Sequence, residues 1–227
     1  MKIIFVAYRD WAIKVYPKIK NHPKISESIF CGSIEEIYKL NLDYYDLLIT
    51  VGLSHKIENN VYDKILTIGL HCAELDRYSY GSPIQLQIID GILKSKHRVF
   101  KLTSGCKESN RSHAHSREYA QEVDLFLHGG MADIFDQLYF TSINLLNEFI
   151  DNFPSIVWKQ WPEEDIVRVP RKPEDSRLDK NELLKMSTKE LYNLIRALEF
   201  PYPNIYLEDE EGILYFNKVS FKQNKRK

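Results

Sequence analysis

Strand-like and helix-like patterns alternate through the first two thirds of the chain. Residues 2–7, Lys2-Ile3-Ile4-Phe5-Val6-Ala7, form the nearly continuous apolar run of a strand buried on both faces. Trp11, Val15 and Ile19 then recur at helical spacing and predict a helix over 11–20, and residues 26–30 read as a second strand. Ser33, followed three positions later by Glu36, predicts a capping box that opens a helix to Leu40. Further strands are expected at 46–51, 65–70, 98–103 and 123–127. Ser82-Pro83 reads as an N-cap with proline at the first helical position, and Ile84, Ile88, Ile89 and Ile92 supply one apolar face. Residues 132–149 predict a long helix that buries Ile134, Leu138, Ile143, Leu145, Leu146 and Phe149. Such alternation is the sequence form of an α/β fold with a mostly parallel sheet covered on both faces.

The last third changes character. Residues 154–173 are rich in proline, charge and tryptophan and read as an extended connection wrapped over the core. Ser187 and Glu190 form a second capping box, and Leu191, Leu194, Ile195 and Leu198 make the apolar stripe of the helix it opens. Pro201 stops that helix, and residues 205–207 and 213–216 predict a β-hairpin. The expected organisation is an α/β domain over 1–153, a connection over 154–180 and a small α+β unit over 181–227.

Composition narrows the function classes. Lys and Arg number 31 against 32 Asp and Glu, a formal net charge of −1, so no global basic field recruits nucleic acid or a membrane. Cys31, Cys72 and Cys106 lack Cys-x-x-Cys spacing, which argues against a disulfide framework and a zinc ribbon. No apolar run approaches the ~20 residues that span a bilayer. The apolar start gives way at Tyr8-Arg9-Asp10, too early for a signal peptide, so a cytoplasmic protein is expected.

The candidate chemistry lies between Leu66 and Gly91. His71 closes an apolar strand, and in open α/β sheets ligands bind where the strands end at their C-terminal edge. Gly69, two residues earlier, permits close approach of another group to the backbone. Spacing alone also allows His71 to be a hydrogen-bonded core histidine. His71, followed by Pro83-Ile84-Gln85 and then Gly91, resembles the formyltransferase signature. Tyr45-Asp46-Leu47-Leu48-Ile49-Thr50-Val51-Gly52 is similar to that family's preceding strand and glycine turn. Arg171-Lys172-Pro173-Glu174-Asp175-Ser176, the stretch Leu191 to Leu198, and Pro201-Tyr202-Pro203 resemble the C-terminal pattern of its sugar-nucleotide branch.

The resemblance implies a Rossmann-like fold and transfer of a formyl group from N10-formyltetrahydrofolate, without a metal, to the amine of a nucleotide-linked amino-dideoxy sugar for cell-surface polysaccharide. It assigns His71 to the oxyanion or leaving nitrogen, Gly52, Leu53 and Ser104 to the folate, and Lys56 to the diphosphate, with a solvated loop lysine as the alternative. Arg9, just past the first strand, stands at the same sheet edge as a second cation for that group. Stacking of the base is expected from Trp11, Tyr78 or Tyr80, with a core or lid role as the alternative. A homodimer is the assembly to test for. Two positions of the family's Asn-His-Asp triad depart: the asparagine falls on Gly69, and the aspartate turn is replaced by the polar stretch 104–118. An ungapped count back from Gly129 puts His115 nearest the aspartate and Glu118 near a second acid, against the alternative that both are surface residues of a polar loop.

Three rival readings remain at this point. Altered triad positions suit a relative that binds nucleotide sugar without turning it over, or with altered chemistry. Transfer to initiator tRNA is disfavoured by the lack of basic excess. His113-x-His115 with Cys106 and His71 suggests a metal hydrolase only weakly, because His-x-His alternation on a serine-rich loop is unspecific.

Overall fold

The apolar run at the start forms strand β1 (Lys2–Val6), in which Ile3, Ile4, Phe5 and Val6 are fully buried. In the computed structural model, residues 1–73, 76–78, 81–103, 115–160 and 168–224 are described, with only the backbone for 76 and 115–117. The helix expected over 11–20 is two single turns, α1 (Asp10–Ile13) and α2 (Tyr16–Ile19). Pro17 explains the break, since it lacks the N–H that an unbroken helix would donate to the Ile13 carbonyl. Strand β2 (Glu27–Cys31) follows, then α3 (Ile34–Ile37), which is a single turn. The capping box expected there does not form: Glu36 accepts instead from the Gly32 N–H at 3.0 Å, one residue ahead of Ser33.

Strand β3 (Leu47–Thr50), helix α4 (Asn59–Tyr62) and strand β4 (Leu66–His71) complete a parallel half, with β1 paired to β2 and β3, and β3 to β4. Helix α5 (Pro83–Ile89) begins at Pro83, but Ser82 stands in the left-handed region at φ 64° and its hydroxyl caps nothing. Beyond it, β5 (Lys94–Leu102) returns antiparallel to β4, and β6 (His115–Phe126) runs antiparallel to β5. The edge strand β7 (Lys159–Gln160) pairs antiparallel with β6. The sheet order is β2-β1-β3-β4-β5-β6-β7. Since β6 runs antiparallel to β5, it shares the direction of β1 to β4, so most strands still point one way.

Helix α6 (Met131–Asn152) opens on Gly130, whose N–H bonds the Asp133 carboxylate at 2.9 Å, and covers one face of the sheet through Leu145, Leu146, Phe149 and Ile150. The opposite face packs under α3 and α4 through Ile34, Ile37, Ile57 and Val61. Helices α7 (Lys180–Lys185) and α8 (Thr188–Ala197) and the hairpin β8 (Ile205–Asp209) with β9 (Gly212–Phe216) follow. Leu194, Leu198 and Ile205 share a core with Ile84 and Ile88 of α5 and Ile134 and Leu138 of α6. Burying each such aliphatic side chain contributes about 1.5–3 kcal/mol, so the C-terminal helix and hairpin steady the α5 end of the sheet. Among the described residues, no helix is long and apolar enough to cross a membrane.

The second capping box forms as expected. Ser187 N–H bonds Glu190 Oε2 at 2.7 Å, and Glu190 N–H bonds Ser187 Oγ at 3.2 Å. The Ser187 hydroxyl and backbone bonds hold the Glu190 carboxyl below the usual carboxylate range. Ser187→Ala removes the hydroxyl partner, and thermal denaturation should show Tm lowered by roughly 2–4 °C, the shift that losing one cap brings to a protein of this size.

Candidate active site

A cavity of about 190 Å³ opens where β3 and β4 end. Its shape follows from the pleat, because successive side chains of a strand point to opposite faces. Thr50 pairs with Gly69 and Gly69 with Phe100, which places Thr50, Gly69, His71 and Phe100 on the α4 face of the sheet. Leu70 pairs with Val99, so Leu70, Val99 and His97 lie on the α6 face. The cavity wraps round the strand ends and is lined from both sides: Ile57, Tyr62 and Leu102 on the α4 side, Trp11, Phe135, Leu138 and Tyr202 on the α6 side.

His71 ends β4 within this lining and is only 8% exposed. Its ring stands edge-on to Phe100, with centroids 6.0 Å apart and an interplanar angle of 77°. Opposite His71 in the ladder is Arg98, whose Nε bonds Glu122 Oε2 at 2.6 Å and whose Nη1 bonds the Ala73 carbonyl at 3.3 Å. Burial works to raise the Glu122 carboxyl, but the bond and charge of Arg98, with Lys96 alongside, outweigh it and hold it below the usual range. Gln87 fixes the turn that follows His71. It is buried, donates to the carbonyls of Cys72 at 2.9 Å and Pro83 at 3.0 Å, and accepts from Ser95.

The mouth of the cavity is built by the turn after β3. Gly52 has φ 63°, so the backbone favours glycine, and a Cβ there would lie in tight contact, 3.2 Å from both Ala12 and Trp11. Its carbonyl accepts from Arg9 Nε at 3.0 Å, and Arg9 Nη2 donates to Ser54 Oγ at 3.0 Å. Arg9 is thus held at the rim beside the turn, where an anion entering from solvent meets it. Trp11 stacks on Phe135 with centroids 6.4 Å apart and planes 12° from parallel, and Phe135 packs on Tyr202.

Of the residues singled out from the sequence, His71, Arg9, Gly52 and Leu53 line the cavity together with Trp11. Tyr78 does not: it is 1% exposed, packs on Ala73 and Leu86, and its hydroxyl bonds Asp90 at 2.9 Å, which makes it a core residue. Lys56 is exposed on the loop before α4, outside the lining. Glu118 lies on β6, not on a loop, where it pairs with Lys101 at 3.2 Å away from the cavity. His115 contributes the first backbone position of β6, and its side chain, like Ser104 and Tyr80, lies outside the described residues. Cys106 and His113 lie outside them as well, and among the described residues no group of three His, Cys, Asp or Glu could hold a metal ion.

Sequence reasoning missed His97, Phe100 and Gln87. His97 precedes the strand start expected at Arg98, so its alternation with Val99 was not read. Phe100 looks like ordinary core until its contact with Gly69 is seen: a Cβ at 69 would lie 2.6 and 2.7 Å from two Phe100 ring carbons. The ring therefore fills the space into which the side chain of the resembled asparagine would project.

No family model and no curated protein sequence matches the chain. Solved structures do. Methionyl-tRNA formyltransferase from Clostridium thermocellum superposes with a TM-score of 0.77 at 24% identity, over 99% of this chain and 95% of that one. A sugar N-formyltransferase from Shewanella sp. gives 0.73 at 11% identity, over 99% of both chains. HypX from Aquifex aeolicus, in complex with tetrahydrofolic acid, gives 0.69 at 17% identity, over 92% of this chain and 36% of that one. These superpositions run over nearly the whole chain, and the chain has the formyltransferase fold.

Proposed function

We propose that the protein transfers the formyl group of N10-formyltetrahydrofolate to the amine of a nucleotide-linked amino-dideoxy sugar. The observation that carries this reading is His71, at the end of β4 and inside the cavity of a formyltransferase fold. In the reaction the neutral amine attacks the formyl carbon and its carbonyl oxygen becomes an oxyanion. The bond to N10 then breaks, N10 takes up a proton and the new amide nitrogen loses one. His71 is the donor placed to stabilise the oxyanion or to protonate the leaving nitrogen. The turn at Gly52-Leu53, with Ile57, Tyr62 and Leu102 behind it, forms the apolar side suited to the folate ring. Arg9 at the rim suits the diphosphate.

A second reading, formylation of an aminoacyl-tRNA, draws on the likeness to methionyl-tRNA formyltransferase. The net charge of −1 weighs against it, because polyanion binding depends on neutralising phosphates with Lys and Arg. One experiment separates the readings. The protein is incubated with N10-formyltetrahydrofolate and a panel of dTDP-, UDP- and GDP-linked 3- and 4-amino-dideoxy sugars, with methionyl-tRNA as a parallel arm. Mass spectrometry should show one sugar gaining one CO and the tRNA unchanged. Formyl-methionyl-tRNA alone would establish the second reading, and binding of folate and sugar without product would leave a binding protein.

A further inference from the structure

The α6 side of the cavity holds a second imidazole. His97 is 1% exposed and yet lines the cavity, so the cavity is its route to any ligand. Its Nδ1 lies 2.7 Å from Thr141 Oγ1 on α6. The Thr141 hydroxyl has one proton, which the Gln137 carbonyl takes at 2.7 Å, with the Leu138 carbonyl at 3.3 Å. With its proton held there, that oxygen accepts from His97, so Nδ1 carries the ring proton and Nε2 a lone pair; with the hydroxyl turned to Nδ1 instead, the ring would take the opposite tautomer. The ring makes no other hydrogen bond among the described residues. A wholly structural histidine in a buried site would normally satisfy both nitrogens.

The surroundings define what this lone pair can meet. No Asp or Glu is among the cavity's described lining residues, so of these His97 is an acceptor that an N–H entering on the α6 side can meet. Burial first, and the charge of a protonated His71 second, push the His97 imidazole down to about 3, so the ring stays a neutral acceptor at physiological pH. It is too weak a base to carry away a proton. What it can do is hold an N–H by its hydrogen and so turn the nitrogen lone pair toward a carbon approaching from the His71 side.

We propose that His97 contacts the acceptor substrate, its Nε2 accepting a hydrogen bond from the N–H of the amine to be formylated while Thr141 fixes the ring in that tautomer. This rests on the functional reading above. His97 and His71 then divide the site by face of the sheet: His97 orients the nucleophile from the α6 side, and His71 acts on the formyl group from the α4 side. Thr141 is a positioning residue, acting through the ring.

The test uses the panel sugar that the wild-type protein formylates fastest. His97→Phe keeps a ring and removes the acceptor, and KM for the sugar should rise roughly tenfold, the worth of one buried neutral hydrogen bond, with kcat lowered as the amine loses its alignment and folate affinity little changed. Thr141→Val should raise the same KM about threefold. In ¹⁵N-histidine spectra, wild-type His97 should show a single Nδ1–H tautomer whose Nε2 resonance moves on adding the sugar, and Thr141→Val should show mixed tautomers. An unchanged KM in a His97→Phe protein that still binds folate overturns the proposal, as does an Nε2–H tautomer in the wild type. Should His97→Phe not fold, Thr141→Val and the wild-type spectrum decide alone. A panel in which no sugar is formylated overturns the functional reading and this role with it, a result distinct from active protein with an indifferent His97.

Discussion

His71→Ala is expected to lower kcat for formyl transfer by roughly 10²–10³ while leaving the dissociation constant of folate within a few fold of wild type. That magnitude is typical when a single donor to a developing oxyanion is removed. The split follows from what the donor sees: the ground-state formyl oxygen is a weak acceptor, and the tetrahedral oxyanion a strong one, so the bond is worth most in the transition state. His71 suits such a role because β4 and the Gln87 bonds to Cys72 and Pro83 fix the chain on either side of it, and Phe100 stands edge-on to its ring. Single-turnover rates with preformed folate complex separate chemistry from binding. His71→Gln keeps a donor and much of the volume, and should recover part of the rate if the proton donated is the point. An unchanged kcat in a folded His71→Ala protein would return His71 to the role of a strand-end core residue.

How much of this was legible in the sequence depended on where burial and chemistry coincide. β1, β3 and β4 could be read because burial of both their faces demands continuous apolar runs, and His71 and Gly52 could be read because such runs end at them. The reversal at β5 could not. A helix between two strands suggests a parallel crossover, but α5 has seven residues and rises about 10 Å, roughly half the length of the six-residue β4. The chain therefore stays at the cavity end and re-enters the sheet from there, antiparallel. The first half of β6 looks like a loop in the sequence because Ser116, Arg117, Glu118, Gln121 and Glu122 offer no apolar run. Its backbone pairs with β5 along one side and, at Glu118 and Tyr119, with β7 along the other, and ion pairs such as Lys101–Glu118 serve where apolar packing would. For Tyr78, stacking on a base and a core role both stood open, and the structure shows the core role, because Asp90 satisfies its hydroxyl and lets the ring be buried.

Gly69→Asn, which restores the residue type of the resembled triad, is expected to destabilise the protein by roughly 2–6 kcal/mol. The new Cβ would fall 2.6 Å from Phe100 Cε1, 2.7 Å from Cζ and 3.1 Å from Thr50 Oγ1. The φ of Gly69 is not positive, so the objection is space and not backbone. Forcing a side chain into occupied volume costs about 1–3 kcal/mol, and a carboxamide left there without partners costs about 1–3 kcal/mol more. Phe100→Ala is costly in its own right, about 3–5 kcal/mol for a ring that is 5% exposed. The informative quantity is their coupling. Where the asparagine occupies the space the ring vacates, the double variant should be more stable than the sum of the single changes by at least about 1 kcal/mol, measured by chemical denaturation in a double-mutant cycle. Simple additivity would show that the two side chains do not compete for one space. A favourable coupling would mean that the exchange of a polar for an aromatic group at this wall took two linked substitutions, and the formylation rate of the double variant would then show whether the chemistry on His71 uses the carboxamide or has been rebuilt around the ring.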